Sequence, residues 1–527
     1  MEWMGPKKSP SALLGGGSHL GVPSAKRPVV TAMALLCGLP VLVSDAIGQD
    51  RVYRPPELYP VAGLPPRLDD KVVWPNWSCG DAPRDSSASV IVDPVSNQIG
   101  NGEVESGGSM EAAIARLPRA GSRTLYLRTG HYRLAEPLVL TANDRGLVIS
   151  ACPGERPVLE GPIDSPVVVL RGAREVVLTG LIFSGPSSIH VVTESSDDCV
   201  ITGNTFLRGG TTILMTGSSR NVIQGNQILQ SAATGIELRD GSDGNLLADN
   251  IIDGAGASET NGGGIFLHGA RNNRISHNLI RNTAGFGVGV LNWDDMTINV
   301  ANVIEHNVIL NTTLTAEDSG AIYILGRSGA DTQVVIAGNI VDGVGSPARH
   351  NVGIYLDDST NGAIVTGNLV RGVGSDAVEI HGGSDNLIEN NIFDLGEGRP
   401  SAVLFQAAPA DTNPLNAQIG NEVVRNVILS ANKDPKIFVS YDGGTPKITG
   451  NLYANATGRG TLPAEDLTDS APIIVSPDHA QDAGRNDYRK VLNRAAETIG
   501  FRRIDFRLAG PRVSYRTAPA ATLPERP

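Results

Sequence analysis

Four carboxylates and a histidine sit in short segments that alternate apolar and polar residues. Asp357 and Asp358 end Gly353-Ile354-Tyr355-Leu356-Asp357-Asp358, Glu379 and His381 lie in Ala377-Val378-Glu379-Ile380-His381, and Asp318 leads into Ser319-Gly320-Ala321-Ile322-Tyr323. Two carboxyl groups flanking a glycosidic bond suffice to hydrolyse it, one giving a proton to the leaving oxygen and the other acting as nucleophile or base. Candidate pairs therefore combine Asp357 or Asp358 with Asp318 or Glu379. Tyr323, Tyr355 and Trp293 offer ring faces on which a sugar could stack, and His381, His268, Glu237 and Arg239 share the same alternation.

These residues meet only if the segments lie side by side. Gly235-Ile236-Glu237-Leu238-Arg239, Gly264-Ile265-Phe266-Leu267-His268, Ala321 to Leu325, Gly353 to Asp357 and Ala377 to His381 share one register. Strand periodicity turns their Ile, Val and Leu to one face and the other set to the opposite face. A slip of one residue would bury Glu237, Asp357 and Glu379, so the register is strongly specified. Two outward columns result: Glu237, Phe266, Tyr323, Tyr355, Glu379, and Arg239, His268, Leu325, Asp357, His381. Neighbouring strands are about 4.8 Å apart and a two-residue offset adds about 7 Å, which brings Asp357 and Glu379 to one bond. Outward acids are ordinarily a solvated face; here Tyr, His and acid types converge, whereas the other outward faces carry Ser, Thr and Asn.

What aligns the segments is a repeat. Asn204, Asn226, Asn250, Asn278, Asn307, Asn339, Asn368, Asn391, Asn426 and Asn451 recur at spacings from 22 (Asn204 to Asn226) to 35 (Asn391 to Asn426). Periods of this size mark solenoids, and no helical apolar period appears within a unit, which leaves stacked β coils. An Asn at the same corner of each coil can bond the backbone and the Asn of the next coil. His277 and His306 stand where Gly203, Gly225, Gly338 and Gly367 stand elsewhere, so they read as turn residues. The fold class is all-β: a right-handed parallel β-helix over about 125–455, of around twelve coils. A helix from Ser109 to Leu117 is expected to close its N-terminal end, and after Asn451 an irregular C-terminal cap is expected, with Asp487 to Pro511 packing back. The longer coils between Asn250 and Asn368 carry extra turns, Trp293-Asp294-Asp295 and Glu317-Asp318-Ser319, which should wall the outward face.

The bulk numbers agree. The chain has 62 glycines in 527 residues and 4% aromatics, a turn-rich β composition. Its net charge of −12 offers no field to hold polyanions, which argues against nucleic acid or an anionic membrane face. Lys26-Arg27, the apolar run Val29 to Val43 and Ala46-Ile47-Gly48 read as an export signal, the run being shorter than the roughly twenty residues of a membrane span. Location is thus expected to be secreted or periplasmic, with an uncleaved N-terminal anchor as the only membrane contact. Cys79, Cys152 and Cys199 then remain, an odd number without metal-type spacing, so they read as buried or solitary thiols and no metal site is expected. The domains are 1–48 signal, 49–105 irregular and Pro-rich, 106–455 β-helix, and 456–527 cap and tail.

Glu317 to Tyr323, Gly353 to Asp358, His381-Gly382-Gly383-Ser384-Asp385-Asn386 and Glu389-Asn390-Asn391-Ile392-Phe393 resemble the pectin-lyase-like β-helix proteins near glycoside hydrolase families 141 and 120. With Gly130-His131-Tyr132 to Gly161 and Gly500-Phe501 to Gly510, the resemblance covers roughly 100–512. It implies an active-site carboxylate pair drawn from Asp318, Asp357, Asp358 and Glu379, an oligo- or polysaccharide substrate, and no cofactor. The alternative on the same fold is a polysaccharide lyase or uronate epimerase, which would use calcium or an arginine against the uronate. No Lys occurs between Lys71 and Lys433, and the Asp-Pro-His-Asp motif of alginate epimerases is absent, which weakens that alternative without excluding Arg239 or His381 as base. A different class is a non-catalytic glycan-binding solenoid.

Overall fold

A computed structural model describes residues 110–119, 123–454 and 494–512, with breaks at 186–187, 258–261, 295, 397–400, 408–417, 430–435 and 441–445. The strands Ser89–Asp93, Gln98–Gly100 and Leu467–Asp469 are also described. The expected export signal lies outside the described residues. Among them, no helix is long and apolar enough to cross a membrane.

Each coil gives one strand to each of three long sheets, of 15, 14 and 12 strands. Pairing is parallel from coil to coil, apart from the antiparallel pair Ser89–Asp93 and Gln98–Gly100. The 12-strand sheet, here the third, runs from Leu138–Thr141 to Lys436–Ser440, which matches the expected number of coils. The first sheet starts earlier than the sequence suggested, because Ser89–Asp93 pairs with Arg123–Leu127 although its neighbours are Pro-rich and polar.

The third sheet holds the anticipated register: Ile322 pairs Ile354, which pairs Val378, and all three are fully buried. They belong to one core that runs the length of the stack. The helix is Met110–Ala115, and its Met110, Ala113 and Ile114 join that core together with Leu117.

The corner between the first and second sheets carries the Asn ladder, buried throughout. Asn339 gives Nδ2 to Ile304 O at 2.9 Å and to Asn368 Oδ1 at 3.0 Å, and its own Oδ1 accepts the backbone and amide N–H of Asn307. Asn339→Ala strands these partners away from water, and a loss of about 1–3 kcal/mol in denaturant titration is expected. A second ladder, not anticipated, marks the corner between the third and first sheets: Asn221, Asn245, Asn273 and Asn302 in succession, then Asn386 to Asn421. In the two coils between, Val334 and Ala363 precede the first-sheet strands instead.

His277 and His306 are turn residues, as expected, with φ of 58° and 53° and rings stacked 5.3 Å apart. Each holds a left-handed conformation that glycine takes without strain. Their side strips receive the C-terminal segment, which lies along the flank of the stack: Arg502 N donates to Asn390 Oδ1, His277 Nδ1 bonds Leu508 O, Gly510 N donates to His306 O, and Arg512 grips Asp249. Phe501, Phe506 and Ala509 pack on Val308, Ile340, Leu369 and Ile392 of the second sheet.

Of the cysteines, Cys199 is a buried free thiol, whereas Cys152 is disulfide-bonded to a partner outside the described residues. The expectation of solitary thiols is corrected there: a pairing across distant chain cannot be read from spacing.

His190, in the third-sheet strand Ile189–Glu194, is fully buried against Phe183 and Phe206, and both ring nitrogens are unpartnered among the described residues. Burial pushes its pKa down to about 4. The unfolded chain takes up that proton near its ordinary value of about 6.5, so the neutral ring's contribution is whole above that pH and is lost as pH falls toward the folded value. A loss of up to about 3 kcal/mol between those limits is expected. His190→Leu should flatten this part of the pH profile of the denaturation midpoint; equal acid sensitivity in variant and wild type would place the cause elsewhere.

Candidate active site

The third sheet's longest strands are Ser319–Gly326 and Asn351–Asp357, and adjacent ones put Tyr323 opposite Tyr355 and Leu325 opposite Asp357. Next comes Val378–His381, with Tyr355 opposite Glu379. The two columns therefore form in the predicted register, but Glu237, Asp357 and Glu379, expected on an open face, are buried in it. Between Phe266 and Tyr323 there is a coil that the sequence alignment passed over, where the column holds Gly289. A β-carbon there would lie 2.9 Å from the Phe286 ring, which folds across the gap.

The tyrosine rings are stacked, 5.0 Å apart at 9°. Their hydroxyls reach crosswise: Tyr323 donates to Asp357 Oδ2 at 2.7 Å in the next coil, and Tyr355 donates to Asp318 Oδ1 at 3.2 Å in the previous one. Asp357 Oδ1 is also 2.6 Å from His381 Nδ1. Asp358 takes a hydrogen bond from Arg327 Nε at 2.6 Å. Glu379 is fully buried, with Oε2 standing 2.8 Å from His350 Nε2.

Of the four carboxylates, Asp318 is the open one, while Asp357 and Asp358 are buried apart from their edges. Protein packed against the Asp318 carboxyl, and then the charge of Asp357, raise its pKa, with His350 and Tyr355 opposing. Burial likewise raises that of Glu379, against the pull of His350. Burial works against protonation of His381, but Asp357, Asp358 and Glu379 outweigh it and the pKa is raised. Desolvation and the surrounding acids push both tyrosines up, so they stay neutral donors.

Trp293 is partly exposed and lies 6.2 Å from His268 and 5.9 Å from Phe266, ring to ring. Arg327 Nη1 points to its carbonyl at 3.5 Å, which ties this aromatic patch to the Asp358 side. Glu237 is bonded to Arg239, and the pair lies four coils from Asp357, roughly 19 Å at the usual strand spacing, too far to share its chemistry.

Arg327 and His350 were missed in the sequence. Arg327 continues the outward alternation beyond Leu325 and was findable by extending the column; His350 precedes its strand in an irregular turn that no periodicity reaches. No metal site was expected, yet Asp357, Asp358 and His381 offer atoms within 4.8 Å of one another. Arg327 already supplies positive charge to Asp358, and calcium prefers an all-oxygen shell.

The family model described as right handed beta helix region matches residues 166–341 and 320–463, together more than half of the chain. No curated protein matches the sequence. Solved structures that resemble it include the catalytic domain of a GH87 alpha-1,3-glucanase in complex with nigerose, at 14% identity, 70% of this chain, 67% of that chain and a TM-score of 0.42. The Streptococcus pneumoniae surface protein and adhesin PfbA follows at 13% identity, 67% of this chain, 93% of that chain and 0.43. An alginate lyase from Paenibacillus sp. str. FPU-7 stands at 17%, 55%, 92% and 0.34. Such scores do not choose between activities. Coil register, three parallel sheets and the family match lead to one conclusion: the chain belongs to the right-handed β-helix family.

Proposed function

We infer that the protein hydrolyses a glycosidic bond in an oligo- or polysaccharide, with Asp318 as proton donor and Asp357 as nucleophile or base. The observation that carries this reading is the crossed pair of tyrosine hydrogen bonds, which sets two carboxyl groups from neighbouring coils against one stack of rings. Their surroundings differ in the sense the reaction needs. Asp318 holds its proton more tightly than a free aspartate, and Asp357 is fixed in place by Tyr323, by the backbone N–H of Asp358 and by His381 Nδ1 at 2.6 Å. The Asp318 proton passes to the leaving oxygen, Asp357 attacks the anomeric carbon or takes a proton from water, and water supplies the hydroxyl of the product.

A neutral sugar suits the face better than a uronate. Arg327, His381, His350 and Arg239 each have an acid partner, so a further carboxylate would arrive without a counter-charge. Trp293, beside His268 and Phe266, gives a ring a surface to lie on. Export across a membrane is part of the reading, supported by the basic-apolar N-terminal pattern and by the disulfide at Cys152.

The test is a screen of the full chain against neutral and uronic glycans, reading new reducing ends and the absorbance of unsaturated products together. Reducing ends without absorbance are expected. Absorbing products would move the assignment to a lyase, and binding without turnover would make the solenoid a glycan-binding surface.

A further inference from the structure

One coil beyond the strand that bears Asp357 lies the carboxylate of a second carboxylate–imidazole pair that the reaction above leaves unused. Glu379 shares the outward column with Tyr355, yet it is fully buried. Oε2 stands 2.8 Å from His350 Nε2 as an ion pair, and among the described residues neither oxygen makes a hydrogen bond. A carboxylate sealed from water is costly unless a cation meets it, so the imidazole opposite must carry charge for Glu379 to remain ionised.

His350 is placed for more than this pairing. It ends the short turn Pro347–Arg349 at φ 50°, a left-handed conformation that a side chain with a β-carbon adopts only under strain. The ring meets Tyr355 edge to face at 5.9 Å, and Tyr355 is the residue whose hydroxyl holds Asp318. Backbone pairing joins the same segments: Asp318 N donates to Arg349 O at 2.9 Å and Ser319 N to His350 O at 3.3 Å. The His350 side chain is 38% exposed, and Asp318 is exposed as well.

We propose that His350, clamped by Glu379, is the positioning cation that governs when Asp318 holds its proton, and that Glu379 serves the site only through it. This rests on Asp318 being the proton donor. The charges around the three groups are consistent. His350 faces Glu379, Asp318 and Asp376, and its pKa is raised, the close Glu379 carboxylate outweighing burial. Asp318 faces Asp357 on one side and His350, Tyr355 and His381 on the other. Glu379 faces His350, Asp376 and His381.

The experiment uses the full chain with ring-labelled histidine. In Glu379→Gln, the NMR titration midpoint of His350 should fall by about one pH unit or more, because its strongest anionic partner is gone. Asp318→Asn should also lower it, by less, since coupling between two sites is reciprocal; this variant decides the matter if Glu379→Gln does not fold. In His350→Gln, Asp318 loses the charge that most opposes its raised pKa and keeps its proton to higher pH. The alkaline limb of kcat/KM should therefore move upward, with kcat several-fold lower and KM within about two-fold. An unmoved His350 midpoint in both variants overturns the clamp. A uniform drop in rate with the limb in place reduces His350 to a structural role. A protein that turns over no glycan overturns the hydrolase reading and the link to Asp318, while the titration still decides whether Glu379 clamps His350.

Discussion

Asp357→Asn should lower turnover by about 100-fold or more while the fold stays intact. The substitution keeps the shape of the side chain and an oxygen able to accept from Tyr323, but it removes the charge that attacks carbon or activates water. It also removes the anion opposite His381, so that imidazole should lose its proton closer to its ordinary range. Asp318→Asn should be equally severe with an unactivated substrate. It should be far milder with an aryl glycoside whose leaving group needs no proton, because a general acid matters in proportion to leaving-group basicity. Turnover and melting temperature for these two, beside Asp358→Asn and Glu379→Gln, separate the roles. If all four turn over within a few-fold of wild type, the carboxylate mechanism fails. A loss confined to Asp358→Asn would move the reactive carboxylate one residue along the chain.

The second large effect concerns the scaffold. Ile354→Ala should cost about 2–5 kcal/mol, since the side chain is fully buried between Ile322 and Val378 and its removal leaves a void that rigid coils close poorly. It should exceed the cost of Asn339→Ala. Denaturant titration that ranked the two the other way would contradict the inside-out assignment of the third sheet. Because Ile354 is the inward neighbour of Tyr355 in the same strand, activity should fall with stability in this variant, whereas in Asp357→Asn it should fall alone.

Much of this was readable because one physical rule repeats. Period-two alternation in the segments around Glu237, Tyr355 and Glu379 gave the columns, and an Asn before each second-sheet strand from Thr205–Leu207 to Leu452–Ala454 marked the successive coils there. The second ladder was equally available: Asn221, Asn245, Asn273, Asn302, Asn386 and Asn421 each stand five residues ahead of an Asn of the first. The coil at Gly289 escaped because glycine carries no alternation signal, and Phe286 fills its place from outside the pattern. His350 escaped for a different reason. Its partner Glu379 is one coil later, and the turn that delivers the ring obeys backbone strain rather than side-chain period. Burial of the acids was also illegible, since an outward position is open or closed according to which loop lies over it.

The C-terminal segment along the flank changes how such a stack can come apart. A solenoid joined only coil to coil is a chain of nearest-neighbour links that frays from its ends. Here Arg512 reaches Asp249 across 263 residues and Arg502 reaches Asn390 across 112, so coils that do not touch each other are stitched together. Opening any one of them then requires releasing the stitch, and the intervening coils should unfold as one cooperative block that includes Tyr323 and Asp357. The same contacts are the last that a chain emerging N-terminus first can make. The middle coils must stand unaided until then, and locking should appear as a late step that a C-terminal truncation at about residue 493 would abolish.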